Sequence, residues 1–114
     1  PPLAPRSGRL PAHAEGWGAL LSGLIQARCR EADVAPRFVA SRADAEALVR
    51  WWVESGEGRG AAPEPELPLL SGWRRELAGQ AALDWLAGQT AIAADPSSES
   101  GVRLVEPREG RGGR

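Results

Sequence analysis

Residues 67–88, LPLLSGWRRELAGQAALDWLAG, contain a helix start, a periodic body and a stop, and they leave the chain few ways to fold. Pro68 halts any helix arriving from upstream, Ser71 is placed to cap a new one, and Gly88 falls where a left-handed residue closes it. From Trp73 up to that stop, only Gly79 is a poor helix former. At 100° per residue, Leu70, Leu77, Ala78, Ala81, Ala82, Trp85 and Leu86 spread over a broad apolar arc. Glu76, Gln80 and Asp84 line the other side. An arc that wide must touch more than one neighbouring helix. Arg74 falls inside it and Arg75 near its edge, so a purely solvated role is expected for Arg75 before Arg74.

The neighbours are legible upstream. In residues 16–33, Trp17, Leu20, Leu21, Leu24 and Ile25 repeat at helical spacing, and Cys29 and Ala32 continue the face. Gly18 and Gly23 weaken this helix, so packing must hold it. Pro36 opens a short helix through Val39, with Phe38 and Val39 expected as core anchors. Ser41 and Asp44 form a capping box for the next helix, whose buried face is Ala45, Leu48, Val49 and Trp52, ending about Glu54. Trp51 lies one helical step off that face.

The remaining segments read as connections. Residues 1–15 are Pro-rich and expected as a linker or disordered lead-in; they hold His13, the only histidine, with no partner at metal-ligand spacing. Residues 55–66, SGEGRGAAPEPE, read as a flexible loop inside the helical domain of residues 16–88. GEGRG lacks the Lys-Ser/Thr ending and the preceding strand of a phosphate-binding loop. Residues 89–106 change period: two β-compatible runs flank Asp95-Pro96 turn chemistry, predicting an appended hairpin. Residues 107–114 read as a disordered Gly/Arg tail. The fold class expected is all-α, a small bundle of four to five helices with a short β-like extension.

Three of these pieces in this order resemble a known family. SGWRREL followed by an alanine-rich turn and DWL resembles the last helix of the ribonuclease D C-terminal (HRDC) domain. APRFVASRADAEALVRWW is similar to the same domain's short helix, cap and second helix, and AIAADPSSESGVRLVEP to the extension that follows it. The resemblance implies an HRDC-like bundle and a parent 3′→5′ exoribonuclease that trims RNA such as tRNA precursors. In that parent a separate upstream domain holds divalent magnesium or manganese on acidic residues. The partners implied are RNA, bound weakly and with little sequence preference, and the parent's catalytic domain.

No catalytic set stands out. The lone histidine lies in the leader; Asp44 and Glu46 point apart on a helix, and Glu64 and Glu66 lie in the loop. We therefore expect no catalytic residue, metal site or cofactor in this chain. The net charge of −1 and pI near 5.9 argue against a strongly basic nucleic-acid platform. All 14 basic residues are arginine, which a GC-rich genome explains. Arg37, Arg42 and Arg75 are the candidate nucleic-acid contacts; ordinary surface ion pairs are the alternative for them. Trp73, Arg74, Leu77 and Trp85 are expected in structural roles. The single Cys29 excludes an internal disulfide and behaves as a small hydrophobe; no run is long enough to cross a membrane. A cytoplasmic setting is expected, and Pro at residue 1 with no Met reads as a fragment or processed piece. Two further readings stay open: a helical protein-interaction or interdomain module without nucleic-acid binding, and the related domain of a RecQ-type helicase.

Overall fold

The computed structural model describes residues 10–57 and 63–107. All but the first residue of the tail expected at 107–114, most of the lead-in and part of the loop therefore lie outside the described residues. Three α-helices and one antiparallel hairpin make up the regular structure of the described residues, joined by short 3₁₀ turns. The count of four to five helices is thus not met as such. The short helix read from Pro36 is a single 3₁₀ turn, Pro36–Phe38, and a second such turn stands at Pro68–Leu70. In each, proline's fixed φ opens the turn and the run stops after three residues.

Helix α1, Trp17–Ala32, ends on Asp33 in the left-handed conformation (φ 61°), which lets its N–H return to the Cys29 and Arg30 carbonyls. Its apolar stripe, Leu21, Leu24, Ile25 and Cys29, is buried. Leu20, counted on the same stripe, is 52% exposed. Helix α2, Arg42–Glu54, starts with the expected capping box: Asp44 N–H donates to Ser41 Oγ at 3.1 Å, and Ser41 N–H donates to an Asp44 carboxylate oxygen at 2.9 Å. Ala45, Leu48 and Val49 are fully buried against α1. Gly18 on α1 lets the helices approach closely, since a Cβ there would lie 3.0 Å from Glu46 Cγ.

Helix α3, residues 72–86, is not uniform. An α turn at Gly72–Arg74 leads into a π-helical segment, Arg75–Gly79, before α geometry resumes at Gln80–Leu86. The wider turn slows the rotation of side chains about the axis. The buried face therefore becomes Ala78, Gly79, Ala82, Leu83 and Leu86, about one residue on from the arc counted at 100° per residue. Leu77, Ala81 and Trp85, counted within that arc with Trp85 near its middle, flank the core half-buried. Gly79 explains why the segment sits where it does. A Cβ at this position would lie 2.1 Å from the Leu69 carbonyl oxygen, so the 3₁₀ turn Pro68–Leu70 rests directly on the helix backbone. The Ser71 side-chain cap does not form. Its hydroxyl donates to Pro68 O at 3.4 Å, and left-handed Gly72 (φ 58°) sets the helix entry instead. At the other end Gly88 takes the expected left-handed conformation (φ 77°).

Strands β1, Ala91–Ala94, and β2, Val102–Val105, pair antiparallel with Ala91 opposite Val105 and Ala94 opposite Val102. Asp95 builds the turn by accepting from the Ser97 N–H and hydroxyl, and these bonds hold its carboxyl below the usual range. The hairpin is not isolated. Ile92 and Leu104 pack on the helical core, and Ser100 Oγ donates to Glu31 on α1 at 2.6 Å. Packing also begins earlier than residue 16. Leu10 lies against the core, Ala14 in the turn Ala12–Ala14 is fully buried, and His13 meets Glu57 at 2.6 Å and the edge of Trp17. These apolar contacts make residues 10–15 part of the folded body.

Candidate nucleic-acid interface

The turn Pro36–Phe38 and the start of α3 bring two arginine–aromatic neighbours together. The Arg37 guanidinium lies 4.8 Å from the centroid of Phe38, and that of Arg74 lies 4.5 Å from Trp73. Arg74 Nε donates to the Phe38 carbonyl at 2.7 Å, which fixes the two pairs to each other across 36 residues of sequence. Phe38 is 55% exposed and Trp73 48%. Two readings made from sequence change here. Phe38 is not a core anchor: the 3₁₀ turn points Val39 inward, 2% exposed, and leaves Phe38 outside. Trp73, expected in a structural role, lies in the first turn of α3 on the outer side and is exposed.

The other arginines are placed differently. Arg42, the first residue of α2, pairs with Glu46 one turn on, Nε to carboxylate 3.0 Å, with both side chains 58% exposed. Arg75 is held on several sides. Its Nε donates to Gln80 Oε1 at 3.0 Å and its Nη1 to Leu70 O at 3.2 Å. Nη1 and Nη2 grip both oxygens of Glu64 at 2.8 and 3.1 Å. This bidentate contact lowers the Glu64 carboxyl below its ordinary value, chiefly through the hydrogen bonds, which outweigh the opposing effect of burial, with the charge of Arg75 adding a smaller share. Arg75, expected to be freer to reach solvent than Arg74, is thus the more fully bonded of the two. Arg28 adds a scaffold bond that sequence did not suggest, donating Nε to the Leu77 carbonyl at 3.1 Å and so tying α1 to the π segment.

The structural residues expected on α3 fit in part. Leu77 packs against the core, and Trp85 packs there half-buried, its ring edge-on to Trp17 at 6.2 Å. What sequence reading missed is the Phe38–Trp73 surface. The signal was present as the dipeptides Arg37-Phe38 and Trp73-Arg74, each a cation beside an aromatic ring.

Among the described residues no group of three or more His, Cys, Asp or Glu could hold a metal ion. Burial pushes the Cys29 thiol up, away from reactive thiolate character. No helix is long and apolar enough to cross a membrane among the described residues. A hollow of about 340 Å³ runs between α1 and the hairpin, lined by Leu20, Gly23, Ala27, Arg30, Ile92 and Val102.

A small helical module with an arginine–aromatic face and no assembled reaction centre among its described residues is the class that fold and surface define. Most of the chain is related in sequence to part of ribonuclease D. It is 43% identical over 77 residues to the Ribonuclease D of Gluconacetobacter diazotrophicus, a match covering 68% of this chain and 17% of the relative. It is 39% identical over 93 residues to that of Acidiphilium cryptum, covering 82% of this chain and 20% of the relative. With the Ribonuclease D of Granulibacter bethesdensis it shares 32% over 94 residues, again 82% and 20%. The chain spans about a fifth of the length of the curated relatives it matches. No family model and no solved structure matches it.

Proposed function

We propose that this chain is an HRDC-type accessory domain of a ribonuclease D-type 3′→5′ exoribonuclease, positioning RNA for tRNA 3′ processing in the cytoplasm. Kinship with proteins named Ribonuclease D supports the parent. The observation that carries the RNA-binding role is the exposed pair Phe38 and Trp73, each with a guanidinium over its ring. Unpaired bases stack on exposed aromatic rings and on guanidinium planes, while arginine draws the phosphates, so the contact is sequence-tolerant. Arg37 supplies the charge most open to solvent on this face, and Arg42 is a further phosphate contact in this reading. The acidic overall balance keeps such binding weak and salt-sensitive. Hydrolysis and its magnesium or manganese belong to the parent's catalytic domain.

The test is a low-salt titration of single-stranded RNA against the wild type and Phe38→Leu/Trp73→Leu. We expect measurable affinity that drops several-fold in the double variant with little change in melting. Unchanged affinity would remove this face as the site. No wild-type affinity at all would leave the second reading, packing against the remainder of the parent chain. The hollow between α1 and the hairpin, with Leu20 exposed beside it, favours that alternative.

A further inference from the structure

Arg75 is oriented before Glu64 reaches it. Gln80 Oε1 takes its Nε proton and Leu70 O takes one from Nη1, so groups on α3 and the preceding turn fix the guanidinium plane. The remaining edge presents Nη1 and Nη2 outward, and the Glu64 carboxylate sits on it through both oxygens. Among the described residues Glu64 makes no other hydrogen bond or ion pair than this one. Both side chains stay partly open to water, Arg75 at 33% and Glu64 at 42%. Among the described residues the only other carboxylate acting on the guanidinium is Asp84, through charge, and that group accepts from Gln80 Nε2 at 3.1 Å. A fixed guanidinium edge that holds two oxygens of a carboxylate holds two oxygens of a phosphodiester in the same geometry.

The geometry points to Arg75 as an anion fork for an RNA phosphate, occupied in the RNA-free chain by the Glu64 carboxylate, which RNA must displace. This rests on the RNA-binding reading and adds to it an internal competitor. Arg75 stands two residues beyond Trp73 on α3 and so on a different side of the helix, which makes the fork a phosphate contact additional to the aromatic face. Glu64 then sets the affinity: it neutralises the cation at rest and makes each phosphate contact an exchange of one anion for another. The low Glu64 pKa agrees, since the carboxylate stays charged and competes throughout the neutral range.

The experiment is a salt titration of a short fluorescent oligouridylate against the full chain. The variants are Glu64→Gln, Glu64→Gln/Arg75→Gln, and Glu66→Gln. The last removes the same charge from a nearby exposed carboxylate that does not bond Arg75. Glu64→Gln should bind several-fold tighter than wild type at low salt, and the slope of log K against log salt should steepen by about 0.7, one single-strand phosphate contact. The gain should vanish in the double variant and be much smaller in Glu66→Gln. If wild type binds but Glu64→Gln behaves like wild type or like Glu66→Gln, the fork is overturned while the RNA-binding role stands. A gain that persists without Arg75 overturns it too. No binding by any variant, with melting curves showing all folded, removes the fork and the RNA role together.

Discussion

At the scale of single residues, Gly79 carries more than helix propensity implies. Alanine is favoured over glycine inside a helix by about 1 kcal/mol. Here the added methyl would meet the Leu69 carbonyl oxygen at 2.1 Å, and that atom is backbone, not the end of a side chain that can swing away. Overpacking of this kind costs about 1–3 kcal/mol, and a backbone neighbour puts the cost at the upper end. We expect Gly79→Ala to lower stability by roughly 2 kcal/mol net in urea unfolding; a variant as stable as wild type would show that the Pro68–Leu70 turn does not rest on α3. The two arginines ahead of it invite a second comparison. Arg74 gives one bond to the Phe38 carbonyl; Arg75 serves Leu70, Gln80 and Glu64. Each loss should cost about 1 kcal/mol, so Arg74→Ala and Arg75→Ala should melt within a few degrees of each other, against the ranking that the helical wheel gave. The Glu64–Arg75 pair also has a pH signature. The Glu64 carboxyl is lowered in the folded chain, so its stabilisation is full above the ordinary carboxylate range and is lost as pH falls through the folded value. Acid titration of the melting point should show a smaller acid-side drop in Glu64→Gln than in wild type.

Elements differ in how much of them could be read ahead. Helix α2 was open to reading because its start signal is local: Ser41 and Asp44 bond to each other's backbone and need nothing from the rest of the chain. Ser41→Ala should therefore destabilise by about 1 kcal/mol, checked by thermal melting, and an unchanged midpoint would mean the cap is redundant. The hairpin was legible for the same reason, through its period and its Asp95 turn. Helix α3 was not, beyond its ends. Nothing within residues 75–79 distinguishes π from α geometry in sequence. The wider turn coincides with the backbone contact at Gly79, which joins two elements and is silent in either alone. The same applies to Phe38. Its apolar character was plain, but only the 3₁₀ turn decides that Val39 faces in and Phe38 out. Of the candidate interface, the arginines were named from sequence; the aromatic half was not.

For the whole molecule, the core is a single cluster shared by α1, α2, α3 and the turns between them. Trp85 belongs to its rim, half-buried against Trp17. Trp85→Ala should lose about 2 kcal/mol, below the 3–5 typical of a fully enclosed large aromatic. The chain should then still fold, with a lower and measurable midpoint, where central burial would have left it largely unfolded. A wild-type midpoint would place the indole outside the core. Catalysis is a property of the whole molecule as well. No metal-holding cluster exists among the described residues, so purified chain with labelled RNA and magnesium or manganese should release no 3′ nucleotides. Trimming that persists through purification and requires the metal would overturn this.

The π segment has one more consequence, for insertions and deletions. Along a regular helix each residue turns the chain by about 100° about the axis. Removing one residue from 75–79 and letting the turn relax to α geometry would keep nearly every hydrogen bond of α3. Because the wider turn advances the chain by only roughly 80° per residue, its five residues cover about the rotation of four α-helical ones, so Leu83 and Leu86 would still face the core and the hairpin would still reach Glu31. The same deletion within the regular turns Gln80–Leu86 has no wide turn to release and is a steering error of about 100° that no side chain can correct. The stretch Arg75–Gly79 is therefore where α3 can lose one residue without misdirecting what comes after it.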